Sequence, residues 1–256
     1  MSEEQTLEDI STKNFIAVAG NIGSGKTTLT RLLGERFKWA PHYEAVHENP
    51  YLEDFYGDME RWAFNLQIFF LNHRYRAHQS IVMGNKSSIQ DRSIYEDANI
   101  FAKNLYDTGK LRERDYYNYL RTYETLVESL TPPDLIIYLR KKVKTLKARI
   151  SERGRSYEEN IPEEYLKSLN DYYDNWISTY RRGKVLIVES DHFDFLNTAS
   201  HFDELCDEIL STLDQKDLFE YQEMISKGQA AQKISLKRRS EIAKSPLHFS
   251  LIPSSS

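Results

Sequence analysis

Two hydrophobic rhythms alternate along this chain, and they switch at glycine, proline and short charged runs. Phe15-Ile16-Ala17-Val18-Ala19 is a continuous apolar run closed by Gly20, the pattern of a strand buried on both faces. Leu29, Leu32, Leu33 and Phe37 then recur at helical spacing. Residues 40–46 read as a short second strand entered through Pro41 and running into His47-Glu48-Asn49-Pro50. Pro50 biases Asn49 towards an extended conformation, so Glu48 is expected at the strand end or in the loop after it. Residues 51–57 predict a short helix or loop, and a long helix follows over about 59–83, where Trp62, Leu66, Phe69, Phe70, His73 and Ala77 keep helical spacing. A weak strand over 86–90 is closed by Asp91-Arg92-Ser93. Helices are predicted over 95–105 and 111–130, the latter stopped by Thr131-Pro132-Pro133. The run 134–139 is the clearest interior strand; a helix over 143–152, another from Ile161-Pro162 to about 182, a last strand over 184–188 and a closing helix over 201–213 complete the pattern.

Five strands alternating with helices predict an α/β fold: a five-stranded parallel sheet, doubly wound, with helices on both faces and right-handed crossovers. The domain is expected over 13–215, after a polar leader at 1–12. In the remainder, 216–256, the composition changes from about Lys227: Lys227, Lys233, Lys237, Arg238, Arg239 and Lys244 face only Glu241 from there on. This reads as a basic tail, largely disordered or a helix followed by a disordered end.

Composition narrows the partners. The net charge of the 256 residues is −5, which leaves no general basic field for nucleic acid. No apolar run approaches the ~20 residues needed to span a membrane. The acidic N-terminus carries no secretory h-region, and the single cysteine, Cys206, sits in an apolar-periodic stretch and fits a reducing compartment, so the expectation is a cytoplasmic protein.

The chemistry begins at Gly20. Gly20-Asn21-Ile22-Gly23-Ser24-Gly25-Lys26-Thr27-Thr28 matches G-x-x-x-x-G-K-[ST], between the first strand and the first helix. Such a loop cradles phosphates with its backbone N–H groups and the helix N-terminus. Lys26 is then expected on the β/γ-phosphates of a nucleoside triphosphate and the Thr27 hydroxyl on Mg²⁺.

Three further groups bear on the phosphoryl acceptor. Arg149 and Arg153 share a helical face, and Gly154 lets the chain turn to present Arg155, so the segment reads as an arginine-rich lid over the phosphates. Glu48 and Asp91 stand at predicted strand ends, where two carboxylates can divide proton acceptance and Mg²⁺ binding, and Arg92 can steady the acceptor oxygen or the γ-phosphate. Gln67 and Arg74 share one face of the long helix; with Asp97, and Phe101 one turn on, they suit a nucleobase.

These pieces, in this order, resemble the deoxynucleoside kinase family. The resemblance rests on GNIGSGKTT (20–28), Glu48 of HENP, YGDMERWAFNLQ (56–67), DRSIYED (91–97), ERGRSYEENIP (152–162) and YLKSLNDYYDNW (165–176). It implies a P-loop kinase fold, ATP with Mg²⁺ as donor, a deoxynucleoside as acceptor and a homodimer. By the same resemblance Glu48 takes the proton of the sugar 5′-hydroxyl, and Tyr56 and Glu158 hold the 3′-hydroxyl. Gln67 and Asp97 bind the base, with Arg74 beside them, Phe101 stacking and Leu52 in the pocket. Arg92 contacts the 5′-oxygen and phosphate, and the loop His192-Phe193-Asp194 lies near the adenine of ATP. Some relatives have Glu-Arg-Ser where this chain has Asp91-Arg92-Ser93, so Asp91 is expected either as a metal ligand or as a second proton acceptor. The phrases at 20–30 and 49–72 are most similar to bacterial deoxyadenosine kinases, with deoxyguanosine or deoxycytidine as alternative acceptors. A P-loop switch module without a nucleoside acceptor is the alternative of another class.

Overall fold

The alternation in the first strand decides how the molecule is layered. In β1 (Phe15–Ala19) Ile16 and Val18 turn to one face of the sheet while Ala17 and Ala19 turn to the other, and all are buried. The computed structural model describes residues 13–46, 48–159, 161–191, 193–195, 198–226 and 250–252. With β2 (Ala40–His42), β3 (Ser88–Asp91), β4 (Leu135–Arg140) and β5 (Lys184–Glu189), β1 forms a parallel sheet of order β2-β3-β1-β4-β5. The helices are α1 (Lys26–Phe37), α2 (Leu52–Gly57), α3 (Met59–Met83), α4 (Ile94–Glu96), α5 (Lys103–Asp107), α6 (Glu113–Glu128), α7 (Val143–Arg153), α8 (Glu163–Thr179) and α9 (Ala199–Ser226).

Leu29 and Leu33 of α1 and Leu205, Cys206 and Ile209 of α9 cover the face that carries Ile16 and Val18. The other face is covered from α3, α6 and α8, among them Leu66, Leu71, Tyr119, Leu169 and Tyr173. The expected α/β architecture is thus found, with five parallel strands sandwiched by helices. Among the described residues no helix is long and apolar enough to cross a membrane.

Three expectations are corrected. The second strand ends at His42 instead of Val46. It is an edge strand in which Pro41 supplies no N–H, and a tight turn, Val46 N–H to Glu44 C=O at 2.8 Å, draws the chain out of the sheet. The helix expected over 95–105 is three pieces: α4 runs through a π-helical turn (Asp97–Ala102) into α5. Such turns gather at functional sites. Finally, the closing helix does not stop at Leu213 but continues to Ser226, because no glycine or proline interrupts it before Gly228. A sixth strand, β6 (Ser250–Ile252), pairs antiparallel with β5; residues 227–249 and 253–256 of the expected basic tail, like the leader 1–12, lie outside the described residues.

Candidate active site

The switch in strand order falls at β1, flanked by β3 and β4, and the crevice beyond the carboxyl ends of these strands is where open α/β sheets bind ligands. The Gly20–Thr28 loop occupies that position. Gly20 has φ +149°, and a Cβ there would stand 2.7 Å from Ser24 Oγ, so the loop requires glycine. Gly25 caps α1 at φ +100° with no side-chain hydrogen bond, and the first turn of α1 carries no acid. Its N–H groups are therefore left for an anion. Lys26 is buried and hydrogen-bonds Asn21 C=O at 3.0 Å.

In front of the loop opens a cavity of about 470 Å³, a size that suits a small ligand. Ile22, Gly23, Lys26, Thr27 and Thr28 line one end. Leu52, Tyr56, Gln67, Arg74, Asp91, Arg92, Asp97, Phe101, Arg153, Arg155 and Glu158 line the rest. Sixteen of the expected site residues thus meet around one space. The carboxylate is the main correction: Glu48 is exposed and does not line the cavity, whereas Glu44, four residues earlier, does. Glu44 Oε1 is ion-paired to Arg74 Nη2 and, at 3.1 Å, to Arg92 Nε. The tight turn after β2 is what brings Glu44 rather than Glu48 to the strand end.

Arg92 follows the last residue of β3 with φ +67°, a left-handed conformation that a non-glycine residue adopts at a cost. Its guanidinium lies 4.5 Å over the Phe101 ring, beside Glu44. At the far end Arg74 Nη1 pairs with Asp97 Oδ1, and the Arg74 guanidinium stands 4.6 Å over the ring of Phe70. Gln67 Oε1 and Asp97 Oδ2 are buried without a hydrogen-bond partner, a costly arrangement unless something in the cavity bonds them.

The lid separates into two places. Arg153 Nη2 and Arg155 Nη1 both pair with the buried Glu158, the latter at 3.3 Å, and Gly154 between them has φ +65°. Tyr157 stacks on Tyr56 with centroids 5.9 Å apart, so the lid closes on the α2 side of the cavity. Arg149 does not line the cavity; it acts electrostatically on Lys141, as do Asp191 and Asp194. Phe193 is buried and stacks on His201, and His192 lies outside the described residues. Phe195, in the same loop, is the side chain nearest Gly25, 3.7 Å from where a Cβ would be, so this loop packs beside the start of α1.

Burial and charge set the protonation states. Burial pushes the Glu44 carboxyl up, but Arg92, Arg74 and Lys26 together outweigh it and hold it at about 2. Burial, then Arg92, lowers the Lys26 ammonium to about 8 against the pull of Asp91 and Glu44. Burial raises Asp97 to about 6, against Arg74. Burial also raises Asp91.

Residues that spacing did not reveal include Glu44, Phe55 and Tyr165, which line the cavity, and Glu96 and Tyr173, which lie buried behind Arg92; Phe70, on the Gln67–Arg74 face of the long helix, lines the cavity as well. For Glu44 the signal was present: a carboxylate next to a proline-containing edge strand.

The deoxynucleoside kinase family model matches residues 16–214. The chain is 38% identical over 208 residues to the deoxyadenosine/deoxycytidine kinase of Bacillus subtilis, covering 80% of this chain and 95% of that one. It is 39% identical over 167 residues to the deoxyadenosine kinase of Dictyostelium discoideum, covering 65% and 68%. The solved deoxyadenosine kinase from M. mycoides with bound dATP matches with a TM-score of 0.67 and 30% identity over 77% of this chain and 98% of that chain. With the family model matched over most of its length and relatives at this identity and coverage, the chain belongs to the deoxynucleoside kinase family.

Proposed function

We propose that this chain transfers the γ-phosphoryl group of ATP to the 5′-hydroxyl of a deoxynucleoside, deoxyadenosine favoured, releasing the 5′-monophosphate. The observation that carries the reading is one cavity with Lys26 and Thr27 at one end and the unpartnered Gln67 Oε1 and Asp97 Oδ2 at the other, with Glu44 and Arg92 in the same space. Gln67 offers a donor and an acceptor in one plane, and Asp97 an acceptor, which together fit a purine bearing an exocyclic amine. The relatives include deoxyadenosine kinases beside deoxyguanosine and deoxyadenosine/deoxycytidine kinases, so deoxyguanosine and deoxycytidine are the competing acceptors.

Glu44, not Glu48, is the residue proposed to receive the 5′-hydroxyl. Held at about 2 by Arg92 and Arg74, it is a carboxylate throughout the working pH range, so it aligns the hydroxyl and takes its proton as the oxygen–phosphorus bond forms. Lys26, Arg92, Arg153 and Arg155 spread positive charge around the transferring group. Tyr56 and Glu158 hold the sugar 3′-hydroxyl, Phe101 flanks the base, and Leu52 closes the pocket wall. Arg149 and the Phe193–Asp194 loop belong to the ATP side, outside the acceptor cavity.

The residues fit Mg²⁺. Thr27 Oγ1 donates to Asp91 Oδ2, and Asp91 Oδ1 is buried without a partner beside the phosphate loop. Thr27 and Asp91 would hold the ion, and when bound it neutralises charge on the β- and γ-phosphates.

Pairing of two copies through α3 and α6 is proposed on the half-exposed Tyr117 and the exposed Met83 at these helices, and the buried free thiol of Cys206 supports a reducing, cytoplasmic setting. The test of function is direct: purified protein, γ-labelled ATP and a panel of deoxynucleosides and monophosphates. Label on deoxynucleoside 5′-monophosphates is expected. Transfer to monophosphates alone, or only to water, would overturn the proposal.

A further inference from the structure

Behind Arg92, away from the cavity, four buried groups converge. Arg92 Nη1 donates to Tyr173 Oη at 2.5 Å and to Glu96 Oε2 at 3.4 Å. Tyr173 Oη lies 2.6 Å from Glu96 Oε2 and 2.8 Å from Gly20 C=O, so its one proton faces two acceptors. Glu96 Oε2 also accepts the Gly20 N–H, at 3.4 Å, while Oε1 accepts from Ser93 N–H at 2.7 Å. Glu96 and Tyr173 are each 0% exposed, and neither lines the cavity.

We propose that Glu96 and Tyr173 are positioning residues that fasten the first peptide of the phosphate-binding loop and the Arg92 guanidinium to a common anchor, and so set the spacing between phosphoryl donor and acceptor hydroxyl. Gly20 is gripped at both ends, its N–H on Glu96 and its C=O on Tyr173. Arg92 stands between two carboxylates, Glu44 on the cavity side and Glu96 behind. Without the rear hold it would be drawn towards Glu44. Tyr173 cannot shift to compensate: Tyr138 stacks on it at 5.5 Å, and Phe101 and Trp176 meet it edge-on. The three segments involved come from separate parts of the chain, the loop after β1, the turn after β3, and α8 that follows the lid. A small displacement of such an anchor is felt in the transition state more than in binding, because reacting atoms must be held within a fraction of an ångström.

The inference rests on the proposed phosphotransfer at this site. Its test uses Tyr173→Phe, Glu96→Gln and the double variant, with kcat and both KM values measured beside the stoichiometry of nucleoside binding and the melting temperature. The Tyr173→Phe change removes only a hydroxyl from a ring that stays packed, so it keeps the test open should the buried Glu96→Gln chain fail to fold. The Tyr173→Phe variant is expected to lose about 10- to 100-fold in kcat, with KM for deoxyadenosine and ATP within about threefold and binding stoichiometry unchanged. The double variant, where it folds, is expected to be no slower than the worse single one, since residues acting as a unit are not additive. Turnover in Tyr173→Phe equal to the unmutated protein, a loss matched by lost binding-competent protein, or losses that multiply in the double variant would overturn the proposal. Unmutated protein that phosphorylates no deoxynucleoside overturns instead the functional reading beneath it.

Discussion

Glu44 and Asp97 are held by a single guanidinium: Arg74 gives Nη2 to Glu44 Oε1 and Nη1 to Asp97 Oδ1. The group proposed to read the base and the group proposed to take the hydroxyl proton are therefore two ends of one buried bridge. Each carboxylate needs the cation, and the cation needs both, since burial works against every one of the three charges. A change at either end must be felt at the other.

Glu44→Gln should lower kcat by ~10²–10⁴ while nucleoside binding persists, because an amide can hold the hydroxyl but cannot take its proton. Glu48→Gln, on the exposed side of the turn, should leave kcat within about twofold. Steady-state kinetics on the pair separate the assignments; equal losses at both positions would return the base role to doubt.

Asp97→Ala should narrow the preference for deoxyadenosine over thymidine. Thymine presents a carbonyl oxygen where adenine presents an amine, and two acceptors facing each other in a buried site exclude one another by roughly 1–3 kcal/mol, about 5- to 150-fold in kcat/KM. The ratio of kcat/KM for the two substrates is the readout. A ratio unmoved by the substitution would place the base elsewhere.

The same ratio should depend on pH. The Asp97 carboxyl is raised by burial to about 6, so it takes up a proton as pH falls through that value, and a protonated carboxyl can donate to a carbonyl. Discrimination against thymidine is therefore expected to be flat at pH values well above 6 and to weaken below it. Glu44, held at about 2, adds no titration in this range. Competition assays across pH 5 to 8 would show a flat profile if Asp97 does not face the base.

Arg153→Gln and Arg155→Gln should each reduce kcat, together by up to about 10³-fold, as loss of an arginine supplied in cis does in phosphoryl transfer. Both also release Glu158, so the KM for the deoxynucleoside is expected to change along with kcat. Single-turnover measurements would detect an unchanged chemical step, the outcome that removes them from the lid.

Much of this was legible in the chain itself. The long helix is predicted at 59–83 and found at Met59–Met83, because its apolar stripe is uninterrupted. The phosphate loop declares itself through Gly20, Gly25, Lys26 and Thr27. What periodicity did not convey is where an edge strand stops. The second strand leaves the sheet at His42, and that difference moved the strand-end carboxylate from Glu48 to Glu44. Glu96 and Tyr173 were hidden for another reason: their partnership joins positions 77 residues apart, and neither residue type at either place signals the other. The final helix ran past its expected end because an apolar-periodic stretch without a breaker continues whether or not a basic segment follows.

The central claim is that the acceptor is a deoxynucleoside recognised through an exocyclic amine. Steady-state kcat/KM with ATP and Mg²⁺ for deoxyadenosine, deoxyguanosine, deoxycytidine and thymidine tests it most directly. The highest value is expected for deoxyadenosine and the lowest for thymidine. Thymidine phosphorylated as well as deoxyadenosine, or no transfer to any of the four, would contradict it.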